Sequence, residues 1–341
     1  MNRIKLLFQI MLLHGLWWLT TVSSEAAPFL VADRNPLVVG TLDVLSDAPP
    51  PSNGASVFDF NLNVSNTLNR QGARGGDEFL LLDEETVDLE LHWRRRFREQ
   101  WLFGLSLPWI SRGGGRLDRF LSEYHQTLGL PNGERPSQPD NRFLIQYDRK
   151  GETRLLLERP VSGFGDPSLL AGRITRDDAN ASRVWYARLR LPVGEDSQLL
   201  GAGQASLAGW LSTVWRPGND WSWSTDVGAL WQPGGRETPL GARRAGVAFG
   251  AAALTWRIRP AFRLSSQLDW RSRVFRGGGL KLLGSATLLT LGGQWRIYPG
   301  AWLVVAVTED IQVSASPDVN LQVGLKLRPE QALWATGAIG R

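Results

Sequence analysis

Three histidines, at positions 14, 92 and 125, and no cysteine limit the chemistry open to this chain of 341 residues. Without a thiol there is no disulfide framework, cysteine-ligated zinc, iron–sulfur cluster, thiol nucleophile or cysteine-borne lipid anchor. A hydrolase would need a serine, a histidine and a carboxylate close enough to activate the hydroxyl. Ser106, His92 and Glu90 come nearest to that pattern. Glu90 and His92 share one face of a strand, and a turn centred near residue 98 sets Ser106 opposite Glu90 and diagonal to His92. Such residues are common on polar faces, so the group reads first as a hydrogen-bonded cluster, and no catalytic residue is assigned. His125 reads as a solvated position, and two histidines without spaced carboxylates make no zinc site. Gly113–Gly115 and Gly277–Gly279 lack the strand-then-helix setting of a phosphate loop and read as outer loops. No cofactor or metal is expected.

The elements that carry these residues alternate with period two, the pattern of a strand with one apolar and one polar face. Phe58, Phe60, Leu62 and Val64 alternate with Asp59, Asn61 and Asn63. Val87, Leu89, Leu91 and Trp93 alternate with Asp88, Glu90 and His92, and Val319 to Leu327 repeats the pattern. Twelve such stretches fall near residues 56–67, 85–94, 100–109, 166–175, 183–191, 204–215, 221–231, 245–256, 262–272, 283–296, 301–311 and 318–328. A secreted β-sandwich also alternates, so the decision rests on the aromatic residues. Trp93 and Trp101, Trp215 and Trp221, Trp256 and Phe262, and Trp295 and Trp302 stand at the two shoulders of four short turns. That is the form of an interfacial girdle, and it favours an antiparallel transmembrane β-barrel of about twelve strands, with a β-sandwich as the alternative. An ionised side chain turned to lipid near the midplane costs roughly 2–4 kcal/mol, so the apolar set is expected to face out. The lumen is then lined by Asp59, Asp88, Glu90, His92, Arg188, Arg190, Asp226, Asp269 and Arg271. Charges of both signs in a narrow barrel pair across it, which favours a filled lumen over a wide channel.

Residues 1–27 read as an export signal: Arg3 and Lys5, an apolar stretch from Leu6 to Leu19, and a small-residue processing site ending at Ala27. Residues 28–54 are expected to be a periplasmic segment, 55–329 the barrel and 330–341 a tail. The 38 basic residues, only four of them lysine, are spread among 33 acidic ones, which gives no nucleic-acid-binding face. Residues 110–165 are too long for a hairpin loop and read as a lid or plug. Within them Phe120, Leu121, Tyr124 and Leu128 share one helical face with Leu117, Asp118 can cap the start, and Gly129 and Pro131 stop it. Arg142–Tyr147 and Thr153–Glu158 read as a projecting hairpin.

Several motifs resemble a bacterial family defined only as domain of unknown function 3187. They are Ala32-Asp33-Arg34-Asn35-Pro36-Leu37, Leu117-Asp118-Arg119-Phe120 with Tyr124-His125 and Gly129-Leu130-Pro131-Asn132-Gly133, Gly165-Asp166-Pro167, and Leu191-Pro192-Val193-Gly194. The resemblance implies an outer-membrane β-barrel of a Gram-negative bacterium, with no activity or catalytic residue to carry over. One departure is the last strand, which ends at Leu327-Arg328-Pro329 rather than on a terminal aromatic. The reading that follows is a channel or binding barrel for small or amphiphilic solutes, gated by the helical loop. Its partners would be outer-membrane lipid, the barrel assembly machinery and a small-molecule ligand. A closed structural or surface-interaction barrel, and an outer-membrane lipid or ester hydrolase, are the alternatives.

Overall fold

The computed structural model describes residues 29–38, 50–72, 77–119, 123, 126–127, 139–234, 237–276, 279–311 and 319–329. The first long strands are β1 (Ser56–Gly72), β2 (Glu78–Phe97) and β3 (Trp101–Gly113), followed by the short β4 (Leu144–Arg149), β5 (Glu152–Leu157) and β6 (Val161–Phe164). Next come β7 (Ser168–Asp177), β8 (Ala181–Arg190), β9 (Ser206–Trp215) and β10 (Trp221–Trp231), then the two-residue pair β11 (Glu237–Thr238) and β12 (Gly241–Ala242). The chain finishes with β13 (Gly246–Arg259), β14 (Phe262–Arg271), β15 (Ala286–Tyr298), β16 (Ala301–Asp310) and β17 (Val319–Leu327). Twelve of these, β1–β3, β7–β10 and β13–β17, pair antiparallel in succession. β17 returns to β1 in a continuous register from Phe58 opposite Leu327 to Asn66 opposite Val319. The sheet is therefore a closed barrel with no free edge around its girth. Each of the twelve alternating stretches overlaps one barrel strand.

One end carries short turns at 98–100, 178–180, 216–220, 260–261 and 299–300, and the long connections gather at the other. Leu89 is 47% exposed while Asp88 beside it is 3% exposed, so the outward face of β2 is the apolar one. Trp221 stacks on Trp256 and Phe262 on Trp295 across neighbouring outward positions at the short-turn end. The hairpin expected to project is β4–β5, but β4 pairs with Glu78–Asp83 of β2 and extends the barrel wall upward. Phe120, Leu121, Tyr124 and Leu128, the expected lid face, lie outside the described residues, as do the export signal and the tail. Among the described residues no helix is long and apolar enough to cross a membrane, which says nothing of strands.

The phase differs from expectation in two places. Trp302, assigned to the girdle, is 7% exposed and turns inward, with the Arg263 guanidinium 4.2 Å from its ring centroid. β16 opens on Ala301, so its inward set is Trp302, Val304, Ala306 and Thr308. The second difference is larger. From β7 to β13 the inward residues include Leu170, Val184, Trp210, Leu230 and Phe249, which are apolar and form one buried cluster. β8 reads Val184-Trp185-Tyr186, apolar on both faces, so alternation loses its contrast there. Inward glycines make room for the rings: a Cβ on Gly228 would fall 2.4 Å from Trp210 Cβ, and one on Gly172 2.9 Å from the Tyr186 ring.

Candidate functional site

The lumen thus has a polar wall, centred on β1, β2, β14 and β17, and, from β7 to β13, a wall that carries the apolar, aromatic cluster together with Arg188, Arg190 and Asp226; for that cluster it is called the apolar wall. Between them runs residues 29–38, the strap. This overturns the expectation that the whole of 28–54 is periplasmic: Phe29, Leu30, Val31, Asn35, Leu37 and Val38 are all buried among lumen residues. At the start of the strap, Gln267 Oε1 accepts from the Phe29 amide at 2.8 Å, and Gln322 Nε2 donates to the Leu30 carbonyl at 3.1 Å. Phe29 and Val31 pack on Leu288, Val304 and Ala306. At the far end Leu37 and Val38 join the apolar cluster beneath the long loops, with Leu282 and Leu283.

Two ion pairs fix the middle of the strap. Arg34 Nη1 lies 3.1 Å from Asp88 Oδ2 and 2.9 Å from Glu90 Oε1. Asp33 Oδ2 accepts from Arg271 Nε at 2.6 Å, and Arg271 Nη1 donates to the Gly284 carbonyl. The strap is shaped locally for this: Asp33 Oδ1 takes the Asn35 amide and Asn35 Oδ1 takes the Leu37 amide, each at 3.0 Å. These side-chain turns hold Asp33 and Arg34 in place for their partners. Removing one partner of a buried ion pair costs about 3–5 kcal/mol, because the remaining charge is left without compensation.

The residues expected to line the lumen fall as follows. Asp59 sits between Arg94 (3.0 Å) and Lys326 (3.7 Å), and Asp88, Glu90 and Arg271 bind the strap. Asp269 takes two hydrogen bonds from Gln267, and Arg188 lies over the Trp210 ring at 5.3 Å. Arg190 and Asp226 are buried on the inward faces of β8 and β10. His92 Nδ1 is 2.7 Å from Ser106 Oγ, and His92 Nε2 is 3.2 Å from Glu90 Oε2. Ser106 therefore pairs with His92 rather than Glu90, because Arg98, at φ 56°, makes a three-residue turn and shifts the register. The chain Arg34–Glu90–His92–Ser106 has the order of a catalytic relay, yet Glu90 is neutralised by the strap. Neither Ser106 nor His92 borders any of the three cavities described next. Among the described residues no group of three or more His, Asp or Glu is arranged to hold a metal ion.

Three cavities are strung along the strap. The outermost, of about 340 Å³, is lined by Pro36 and Leu37; the middle one, about 40 Å³, by Val31 and Asp33 with Asp269 and Phe249. The innermost, about 10 Å³, is lined by Phe29 and Leu30 with Asp59 and Lys326. Strap residues line all three. Sequence reasoning missed the strap because its partners lie far off in the chain, 54 residues for Asp88 and 238 for Arg271, and its own residues carry no periodicity.

Residues 59–328 match the model of the family described as Protein of unknown function (DUF3187). The chain belongs to this family. The matched region begins after the strap, so in this DUF3187 chain the plugging segment precedes the span that the family model covers. An outer membrane channel from Pseudomonas putida F1 has a similar fold, with a TM-score of 0.53 at 13% identity, covering 82% of this chain and 97% of that one. The NanC porin gives 0.45 at 8% identity, over 80% and 98% of the two chains. The toluene transporter TbuX of Ralstonia pickettii gives 0.44 at 11% identity, over 89% and 95%. No curated protein matches by sequence. The likeness is one of fold. Within the DUF3187 motifs, Asp166 accepts from the amides of Val193, Gly194 and Ala202 at 2.7–3.0 Å and ties down the loop over the barrel mouth. Asp118 binds Asn66 of β1 and the Asn141 amide.

Proposed function

We propose that this DUF3187 protein is an outer-membrane channel for small amphiphilic solutes, closed at rest by its own N-terminal strap. Outer-membrane lipid would surround the outward apolar face, and the barrel assembly machinery would insert it. The observation that carries this reading is the strap itself: a segment that lines three cavities and is held by ion pairs to one wall while an apolar cluster faces it. A barrel built only as an anchor needs no removable partition, since its wall residues could fill the lumen directly. The pairing of a polar latch with an apolar, aromatic surface supports a solute with both characters. The gate is thus the strap.

The test is conductance in planar bilayers. Full-length protein is expected to show rare, small openings, and a variant lacking residues 29–38 a steady conductance at least tenfold larger. A deletion that folds into a heat-modifiable barrel and stays silent would favour the closed structural barrel. The Ser106–His92 contact also supports a hydrolase reading, because the hydrogen bond a nucleophile needs is present. Ester hydrolysis by the strap-deleted barrel that disappears in Ser106→Ala would favour that reading over the channel.

A further inference from the structure

The outermost cavity is the largest of the three, and its chemistry is uneven. Its apolar surface comes from Leu37 of the strap, Leu155 of β5, Leu199 of the loop after β8 and Leu240 of the loop after β10. Its charged residues are Arg154, Arg243 and Asp196. The Asp196 carboxylate lies against Gly203, where a Cβ would fall 2.1 Å from Oδ2. Arg243 is only 7% exposed, and its Nη1 is anchored on the Ala202 carbonyl at 2.7 Å, which holds the guanidinium at the cavity wall. Arg154 stands at the exposed rim beside Leu156, its Nη2 3.0 Å from Glu152 Oε2. The cavity is therefore an apolar bowl with a buried cation on one side and a second, exposed cation, paired with Glu152, at its lip.

The bowl is also rigid. Asp166 clamps both ends of the loop that supplies Leu199, through Val193, Gly194 and Ala202. Leu199 itself is held at φ 58°, in the left-handed region that a leucine adopts only when its surroundings compel it. Its carbonyl accepts from Arg112 Nη2. Pre-formed apolar cavities with a few fixed polar groups bind small molecules because little has to be ordered on binding.

We infer that this cavity is a capture site for a monoanionic amphiphile, an aromatic or medium-chain carboxylate. The apolar body lies on Leu37, Leu155, Leu199 and Leu240, and the carboxylate meets Arg243, with Arg154 closing over it. A volume of about 340 Å³ accepts a body of roughly the size of a phenyl ring with a short chain. The inference rests on the channel reading for its biological purpose and deepens it by naming the solute class. Because Pro36 and Leu37 form the floor, the site exists only while the strap is seated, so a bound carboxylate holds the strap in place.

The test uses full-length protein in lipid nanodiscs and calorimetric titration with 4-phenylbutanoate, 4-phenylbutan-1-ol and 4-phenylbutylamine. The carboxylate is expected to bind saturably and about tenfold more tightly than the alcohol, with the amine weakest. Arg243→Gln should remove the carboxylate's advantage and leave the alcohol unchanged, and Arg154→Gln, at the exposed rim, should remove part of it. A heat-shifted band on a detergent gel establishes that each variant is folded, and Arg154→Gln keeps the test intact if Arg243→Gln is not. Equal binding of the three probes, or a preference that survives both substitutions, would overturn the inference. Wild-type binding without conductance in the strap deletion would sink the channel reading and spare the capture site. Conductance in the deletion without carboxylate binding to wild type would do the reverse.

Discussion

The two walls of the lumen solve different problems with the same strand geometry. The polar wall spends its inward positions on partners for the strap: Asp88 and Glu90 on β2, Gln267 and Arg271 on β14, Gln322 on β17. The apolar wall packs against itself through rings, with Tyr186 stacked on Trp210 at 5.0 Å and Phe249 edge-on to Trp210 at 6.3 Å. Breaking a contact on the first wall should therefore change what fills the lumen, and breaking one on the second should change how firmly the barrel holds its shape. A plug needs directional, reversible contacts, which ion pairs and hydrogen bonds supply; a wall needs dense, non-directional ones.

The sharpest way to separate the walls is Arg34→Glu. It removes the only strap cation described against Asp88 and Glu90 and puts a third carboxylate beside them. The loss is expected to be about 3–5 kcal/mol, enough to shift the seated strap toward release by about two to four orders of magnitude. Conductance should rise toward that of the strap deletion. The chain's lack of native cysteine allows a second readout. A single Val31→Cys should be shielded from a water-soluble thiol reagent in the parent and react rapidly with Arg34→Glu present. Slow labelling in both backgrounds would mean that the strap is held by something other than its ion pairs.

On the apolar wall the matching change is Trp210→Ala. It empties the space between Tyr186 and Phe249 and should cost about 3–5 kcal/mol of barrel stability. The measurement is the temperature at which the folded band converts on a detergent gel, which should fall while thiol labelling of Val31→Cys stays slow. Fast labelling would show that the strap depends on the aromatic wall as much as on the polar one, and the division drawn above would fail.

The same contrast explains what was legible in the sequence. β1, β2 and β17 put Asp, Asn, Glu and Gln on one face and Phe, Leu and Val on the other, so their period, phase and pairing could be read directly, and with them the twelve-strand barrel. Asp59, Asp88, Glu90 and His92 are all buried. β13 puts apolar or small residues on both faces as far as Ala253, so its strand was legible but its phase carried no contrast, whereas on β8 the contrast is confined to the end of the strand, where Arg188 and Arg190 face inward as expected. The rule that charge must avoid lipid constrains charged residues only; it does not forbid apolar ones from facing inward, which is why Trp210 and Phe249 escaped notice. The strap was hidden for another reason. Its ten residues have no repeating pattern, and what places them is a set of partners supplied by strands remote in sequence, which exist as neighbours only after the barrel has closed.

The smallest expected effect tests phase at a single turn. Trp295 and Trp302 stand on the two sides of the β15–β16 turn and were read as equivalent, yet Trp295 is 40% exposed on the outer face and Trp302 turns inward over Arg263. Trp302→Ala should remove a cation–π contact worth roughly 0.5–2 kcal/mol, and it leaves the Arg263 guanidinium with less to lie against inside the lumen. Trp295→Ala removes an interfacial ring and its stacking on Phe262, which should weaken anchoring without touching the lumen. Collisional quenching by brominated lipid separates the two: Trp295 fluorescence should be quenched, and that of Trp302 should not. Each is read as the quenching lost in the corresponding alanine variant. Equal quenching of the two would place Trp302 against lipid and reverse the inward phase of β16, and with it the packing of Val304 and Ala306 on the strap.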